Sequence, residues 1–398
     1  MSKVIPEIEA FARIKVIGVG NSGTNSVNHM IRTKVKNVEF IAVDTDAQKL
    51  HHSLAPKKIH IGRNVTKGLG GGMNPELGKR AAEETKETIQ ESIKGADMVF
   101  IACGKGGATG TGAAPVVAKI AKEQGILTIA VVTKPFSFEG AHRSRLAEGG
   151  LSNLKESVDA MIVIPNDRLL SVVGKDTTFL SAFQVCDDVL KQAVEGISDL
   201  ITMPGIINVD FADVRTIMQN AGSALMGIGA GQGEKRAEEA AKMAINSPLL
   251  DISIEGAKGV LFAISGGPDL TMVEVQSAAN IITESIDPDA KVIFGTINDE
   301  RLKKGEIKVT VIATGFPSER NLNQAYNNFA PKRAQFQNGP AAVPEKDIKD
   351  QARDGRDFRD FREKIKEDKD PDNKDNNDKK EKDNDSWDVI PAFLRRNR

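Results

Sequence analysis

Two threonines and five glycines crowd into Ile101-Ala-Cys-Gly-Lys-Gly-Gly-Ala-Thr-Gly-Thr-Gly-Ala-Ala-Pro115, between an apolar run and a helical pattern. Gly104, Gly106, Gly107, Gly110 and Gly112 let backbone N–H groups close around an anion with no Cβ in the way, and the positive end of the following helix points at the same place. Thr109 and Thr111 add hydroxyl donors, so the stretch reads as a phosphate cradle. Lys105 lacks the Ser or Thr that follows a Walker A lysine and reads as a rim residue. The second candidate for chemistry is the pair Asp210 and Asp213 in Asn208-Val-Asp-Phe-Ala-Asp-Val214. Three residues apart at a helix start, the carboxylates project from one face and could orient a water or a metal-bound water. The plainer alternative makes Asp210 an N-cap and leaves Asp213 solvated.

Two more glycine clusters stand at strand ends, Gly18-Val-Gly-Asn-Ser-Gly23 and Gly68-Leu-Gly-Gly-Gly-Met-Asn-Pro75. The first is a GxGxxG, and Asp44 follows Gly23 after 21 residues, where an acid could hold a ribose hydroxyl. Taken alone, that opening predicts an NAD-dependent enzyme of Rossmann type. Three glycine loops together favour a ligand with several phosphates, which needs donors from several sides.

The elements that must position these loops alternate. Apolar runs at 14–19, 38–43, 98–102, 126–132 and 161–165 read as buried strands, and helical spacing appears at 25–31, 76–93 and 113–124. This order predicts a parallel, doubly wound sheet that binds ligands at the carboxyl ends of its strands. Residues 179–201 then carry one apolar stripe, Phe179, Ala182, Phe183, Cys186, Leu190, Ala193, Ile197 and Leu200, which predicts a long helix through the core. It stops near Pro204-Gly205. Helices at 234–245 and 272–286 and strands at 259–264, 291–297 and 308–313 predict a second α/β domain.

The expected division is an N-terminal extension at 1–12, a nucleotide-binding domain at 13–178, the central helix at 179–204, a second domain at 205–316, a disordered linker at 317–384 and a terminal peptide at 385–398. Between 345 and 385, 16 residues are Asp or Glu and 13 are Lys or Arg, a composition that cannot bury a core. Trp387, Ile390, Pro391, Phe393 and Leu394, followed by Arg395 and Arg396, then put apolar anchors and a basic end on a solvated tail, the form of a docking motif. A net charge of −1 gives no electrostatic case for nucleic-acid binding. No apolar run reaches the roughly 20 residues that span a bilayer, so membrane contact is expected to be indirect. Two well-separated cysteines in apolar runs, Cys103 and Cys186, predict buried thiols and a reducing cytoplasm.

Gly106-Gly-Ala-Thr-Gly-Thr-Gly112 resembles the signature loop of the FtsZ family, the tubulin-like GTPases of bacterial cell division. The loop Thr133-Lys-Pro-Phe-Ser-Phe-Glu-Gly140, Ile164-Pro-Asn-Asp167, the segment Asn208 to Val214 and the tail Ile390 to Arg396 extend that resemblance. It implies a Rossmann-like GTPase domain joined by a long helix to a second α/β domain, and GTP or GDP in place of NAD, with Mg2+ accompanying the nucleotide. Gly20, Asn21, Ser22, Gly23, Thr24 and Asn25, with Gly71, Gly72, Ala108, Thr109, Gly110 and Thr133, would then surround the phosphates. Glu139 and Arg143 would face ribose and phosphates, and Asn166 and Asp187 the guanine, whose N1–H and amine both donate. Phe183, one turn before Asp187, would pack on the base.

Asn208, Asp210 and Asp213 are the catalytic candidates in that resemblance. They follow a helix of about 35 Å, so one molecule cannot bring them to its own glycine loops. The family's answer is that the next subunit in a head-to-tail filament donates them, which ties hydrolysis to assembly. Division adaptors at the membrane would take the terminal peptide, at the mid-cell division site. Three features depart from the family pattern: Asp44 where Asn is common, Ala108 where Gly is usual, and a first loop with fewer consecutive glycines at Asn21-Ser-Gly-Thr24.

Overall fold

The structure is a computed structural model that describes residues 12–170, 178–247, 254–299 and 301–316. The expected N-terminal extension, linker and docking peptide lie outside the described residues.

The N-terminal half runs Ile14–Val19 (β1), Gly20–Arg32 (α1), Val38–Asp44 (β2), Ala47–His51 (α2), Lys57–His60 (β3) and Arg63–Thr66 (α3). Pro75–Glu84 (α4), Lys86–Ile93 (α5), Met98–Gly104 (β4), Thr109–Glu123 (α6), Leu127–Lys134 (β5), Ala141–Lys155 (α7), Ala160–Pro165 (β6) and Asn166–Leu170 (α8) complete it. The helix Phe179–Thr202 (α9) leads to the C-terminal half: Phe211–Met218 (α10), Gly222–Gln232 (β7), Arg236–Ile245 (α11), Gly259–Gly266 (β8), Met272–Thr283 (α12), Lys291–Asn298 (β9) and Glu306–Thr314 (β10).

The ten strands among the described residues form one sheet in the order β3-β2-β1-β4-β5-β6-β7-β10-β8-β9. Pairing is parallel from β3 through β7, antiparallel on both sides of β10, and parallel again between β8 and β9. The two halves meet at β6 and β7, which share only the register Ala160↔Gly222 to Ile162↔Ala224. Strands such as β4 and β5 are buried along nearly their whole length because helices cover both faces of the sheet.

The helix α9 lies on one face across the meeting of the halves. Leu190, Ala193, Val194, Ile197 and Leu200 pack with Ile129, Val131 and Ile162 of the first half and with Met226, Leu261 and Ile297 of the second. The opposite face is covered by α4 to α7 in the first half and by α11 and α12 in the second. Within the expected stripe, Cys186, Leu190, Ala193, Ile197 and Leu200 are buried and Phe183 is half-buried. Both cysteines are free and buried.

Three local features differ from the sequence reading. Helix α1 starts at Gly20, so the first glycine turn is itself the helix's opening turn. The pattern at 76–93 is two helices, broken at Thr85, whose backbone sits at φ −110° and ψ 19°. Thr85 donates its hydroxyl to the Ala81 carbonyl and accepts from the Gly62 N–H, tying the break to the start of α3. Strand β7 carries Gly222, Gly227, Gly229 and Gly231, residues that weaken any strand pattern. A Cβ on Gly227, Gly229 or Gly231 would lie within about 2 Å of the α11 carbonyl oxygens of Ala244, Ala240 and Arg236 respectively, so the glycines are the seat of that helix.

Candidate functional site

A cleft of about 310 Å³ opens at the carboxyl ends of the parallel strands, lined by Val19 of β1, Asp44 of β2, Gly104 of β4, Thr133 of β5 and Asn166 just past β6. Each of these strands delivers a residue at or next to its carboxyl end to the same place, as a doubly wound sheet dictates.

One wall is made of backbone donors. Helices α1 and α6 both begin here, and neither Val19 nor Ala108 at their N-caps supplies a side-chain hydrogen bond. No acidic residue sits in either first turn. Two sets of N–H groups and two positive helix ends therefore face the cleft without an internal acceptor, an arrangement made for anions. Gly20 permits it: its φ is +75°, and a Cβ there would meet Gly110 N at 3.0 Å. Gly70, Gly71 and Gly72 close the wall from the side, with the Gly70 N–H donating to the Thr45 carbonyl.

Lys105 is not at the rim. It is 2% exposed, and its Nζ donates to the Gly110 carbonyl at 3.0 Å. The ammonium thus holds a carbonyl beneath the loop and leaves the amides to face outward. Burial pushes its pKa down, opposed by neighbouring Cys103.

The opposite wall is built on α9. Phe183 and Asp187 line the cleft one helical turn apart, and Phe183 meets Phe136 edge to face at 5.3 Å between centroids. Ser26 of α1 donates to Asp187 Oδ1 at 2.6 Å, while burial pushes the Asp187 carboxyl up. Asn166 is buried with its Oδ1 lacking a hydrogen-bond partner. Between the walls, Arg143 pairs with Glu139 at 3.1 Å, and Glu139 also accepts from the Phe136 N–H. The cleft therefore offers anion donors at one end and an aromatic ring with a carboxylate at the other.

Of the residues singled out from sequence, Gly20, Asn21, Ser22, Asn25, Gly71, Gly72, Gly104 and Gly107 line the cleft. So do Ala108, Thr109, Gly110, Thr133, Glu139, Arg143, Asn166, Phe183 and Asp187. Four others stand behind it. Gly23 packs against the Ala102 carbonyl, which a Cβ would strike at 2.1 Å. Thr24 is 2% exposed inside α1, and Thr111 is 3% exposed in α6. Gly106 turns the loop at φ +96° and donates its N–H to Thr111 Oγ1 at 2.8 Å. Sequence reasoning passed over Thr45, Asp46, Met73 and Pro135, which line the cleft. Their signal was position, since each lies within a few residues of a strand end or in the second glycine loop.

Asn208, Asp210 and Asp213 are absent from the cleft's lining and lie exposed around the start of α10. Asp210 is the N-cap of α10, accepting from the Asp213 N–H at 2.8 Å, and Asn208 Oδ1 accepts from the Gly205 N–H at 2.8 Å. The Asp213 carboxylate stays in solvent on the helix's first turn.

Residues 13–174 match the GTPase domain model of the tubulin/FtsZ family, and residues 222–317 match the C-terminal domain model of the FtsZ family. An FtsZ dimer from M. jannaschii, described as empty, is similar at 46% identity, covering 77% of this chain and 89% of that one with a TM-score of 0.74. A point mutant of M. jannaschii FtsZ is similar at 45% identity, covering 77% and 92% with a TM-score of 0.73. CetZ2 from Haloferax volcanii, solved as a GTPγS-bound protofilament, shares the fold at 20% identity, covering 79% and 97% with a TM-score of 0.65.

Proposed function

The chain belongs to the tubulin/FtsZ family of GTPases, and from that premise we propose that it is a cell-division protein that polymerises head to tail and hydrolyses GTP at sites shared between neighbouring subunits. The observation that carries this reading is the separation of donors from carboxylates. The cleft holds the two uncapped helix starts, while Asp210 and Asp213 stand exposed beyond the far end of α9. From Asp187 to the end of α9 the helix rises about 22 Å, so the pair serves another molecule's cleft.

In this reading the amides of α1, α6 and the Gly70 to Gly72 loop bind the phosphates. Asp187 accepts from guanine N1–H and the amine, Asn166 Oδ1 finds in the base or sugar the donor it lacks, and Phe183 packs on the ring. Mg2+ would be held through the nucleotide rather than by a cluster of protein ligands, since the described residues hold none, and would supply charge neutralisation for the transferred phosphoryl group. The incoming subunit's Asp213 orients the attacking water, and Asp210 holds the start of α10 that presents it. Hydrolysis then follows assembly. The terminal peptide around Trp387 to Arg396 would dock adaptors at the membrane and place the filament at mid-cell.

Labelled GTP and NAD, titrated separately, test the site, and light scattering tests assembly. GTP is expected to bind and NAD to fail, with scattering rising on GTP and not on GDP. Binding of NAD with rejection of GTP, or no rise in scattering with GTP at any protein concentration, would overturn the reading.

A further inference from the structure

Asp44 lies at the carboxyl end of β2, inside the cleft, and is 2% exposed. Its Oδ1 accepts from the Thr45 N–H at 2.7 Å and the Asp46 N–H at 3.2 Å. Its Oδ2 is buried and has no hydrogen-bond partner. A carboxylate oxygen taken out of water without a donor is costly, and the usual remedy is a proton. Burial accordingly pushes the Asp44 carboxyl up, against the pull of the two backbone N–H groups and, more weakly, of the Thr109 hydroxyl. Thr109, the first residue of α6, faces Asp44 and shares a 2.7 Å hydrogen bond with Thr45. Asp44, Thr45 and Thr109 thus form one hydrogen-bonded floor beneath the anion-binding wall.

The charge around this floor sharpens the problem. Asp46 stands two residues on, and its charge disfavours ionised Asp44. His60 is registered opposite Asp44 on β3, with its Nε2 buried and unpartnered. Lys105 at the end of β4 spends its Nζ on the Gly110 carbonyl, and Arg143 is already paired with Glu139. The lining therefore holds four carboxylates, Asp44, Asp46, Glu139 and Asp187, against two cations, Lys105 and Arg143. A polyphosphate seated on the amides of α6 adds negative charge to the same cleft as a carboxyl that has no cation paired with it.

We propose that Asp44 takes up a proton from solvent when a nucleotide's phosphates seat in the cleft and releases it when they leave, so that Asp44 sets nucleotide affinity through proton coupling. The proton goes to Oδ2, because Oδ1 already accepts two N–H bonds. The inference rests on the reading of the cleft as a guanine-nucleotide site. Its sign is fixed: a group that binds a proton more tightly in the complex makes the complex stronger at low pH and weaker at high pH. Asparagine at this position would imitate the protonated acid, its oxygen accepting as Oδ1 does and its amide donating from the place of Oδ2.

The test is calorimetric titration of GDP into the full chain between about pH 6 and about pH 8, in buffers of high and low ionisation enthalpy. The wild-type protein should take up close to one proton per nucleotide, with affinity falling up to about tenfold per pH unit. Asp44→Asn should take up none and bind GDP with flat affinity that exceeds the wild type's at high pH. Asp46→Asn and His60→Asn should keep the uptake. No uptake by the wild-type protein, uptake that survives in Asp44→Asn, or uptake that disappears in His60→Asn would each overturn the proposal. So would an affinity that depends on Mg2+ but not on pH, since a cation would then replace the proton. If neither the wild type nor Asp44→Asn binds any guanine nucleotide, the site reading falls, and this inference with it.

Discussion

At the scale of single residues, the proposed function makes Asp187, a carboxylate lining the cleft, the group that selects the base. Its carboxylate keeps one lone-pair set occupied by the Ser26 hydroxyl and is raised in pKa by burial, so a ligand that donates two hydrogen bonds gains more here than one that donates a single bond. We expect Asp187→Ala to weaken GTP binding by on the order of 100-fold and to erase the wild type's preference for guanine over hypoxanthine nucleotides. Equal loss for both bases, measured by fluorescence competition, would place Asp187 outside base recognition. Residue types were legible in the sequence at many of the lining positions: Gly104, Gly107, Gly110 and Thr109 of the α6 loop, Glu139 with Arg143, and Phe183 with Asp187 all reach one cleft. What spacing could not tell was which side of a turn each residue faces. Gly23 and Thr111 carry the same types as their lining neighbours yet serve packing, and Lys105 is threaded beneath a loop that sequence had it flank.

Elements show a second limit of local reading. Strand β7 gave no signal because glycine is poor in isolated strand propensity, yet Gly227, Gly229 and Gly231 at a period of two leave one face bare for α11. The requirement is tertiary. Gly229→Ala sets a methyl about 2 Å from the Ala240 carbonyl and should cost about 1–3 kcal/mol by overpacking, while Ala230→Val, on an exposed position of the same strand, should change stability by less than about 0.5 kcal/mol. Urea unfolding followed by circular dichroism measures both. A Gly229→Ala protein as stable as wild type would mean that α11 slides at no cost. The break at Thr85 has the same origin, since helical periodicity runs straight through it and only the hydrogen bond from the Gly62 N–H marks the stop.

Over the whole molecule, the same helix supplies one wall of the cleft and carries the chain away from it. The α9 side chains Glu195 and Asp199, both buried, are held by Arg301, which also binds Asp299 after β9. This cluster, with the short β6–β7 register, fixes the C-terminal half to the far end of α9, and in the proposed filament it would set where the next subunit's Asp213 is presented. A site divided this way makes a prediction that no single-chain active site shares. Asp213→Ala keeps the cleft and loses the donated carboxylate; Asp187→Ala loses nucleotide and keeps Asp213. Neither protein alone should release phosphate at more than a small fraction of the wild-type rate. Mixed in equal amounts and randomly co-assembled, about a quarter of their contacts join an intact cleft to an intact Asp213, so phosphate release should recover towards about a quarter of the wild-type rate. Recovery should peak near equal mixing and vanish below the concentration at which filaments form, because the restored centre exists only between molecules. Absence of recovery at every ratio, with co-assembly shown by sedimentation, would return catalysis to residues within a single chain.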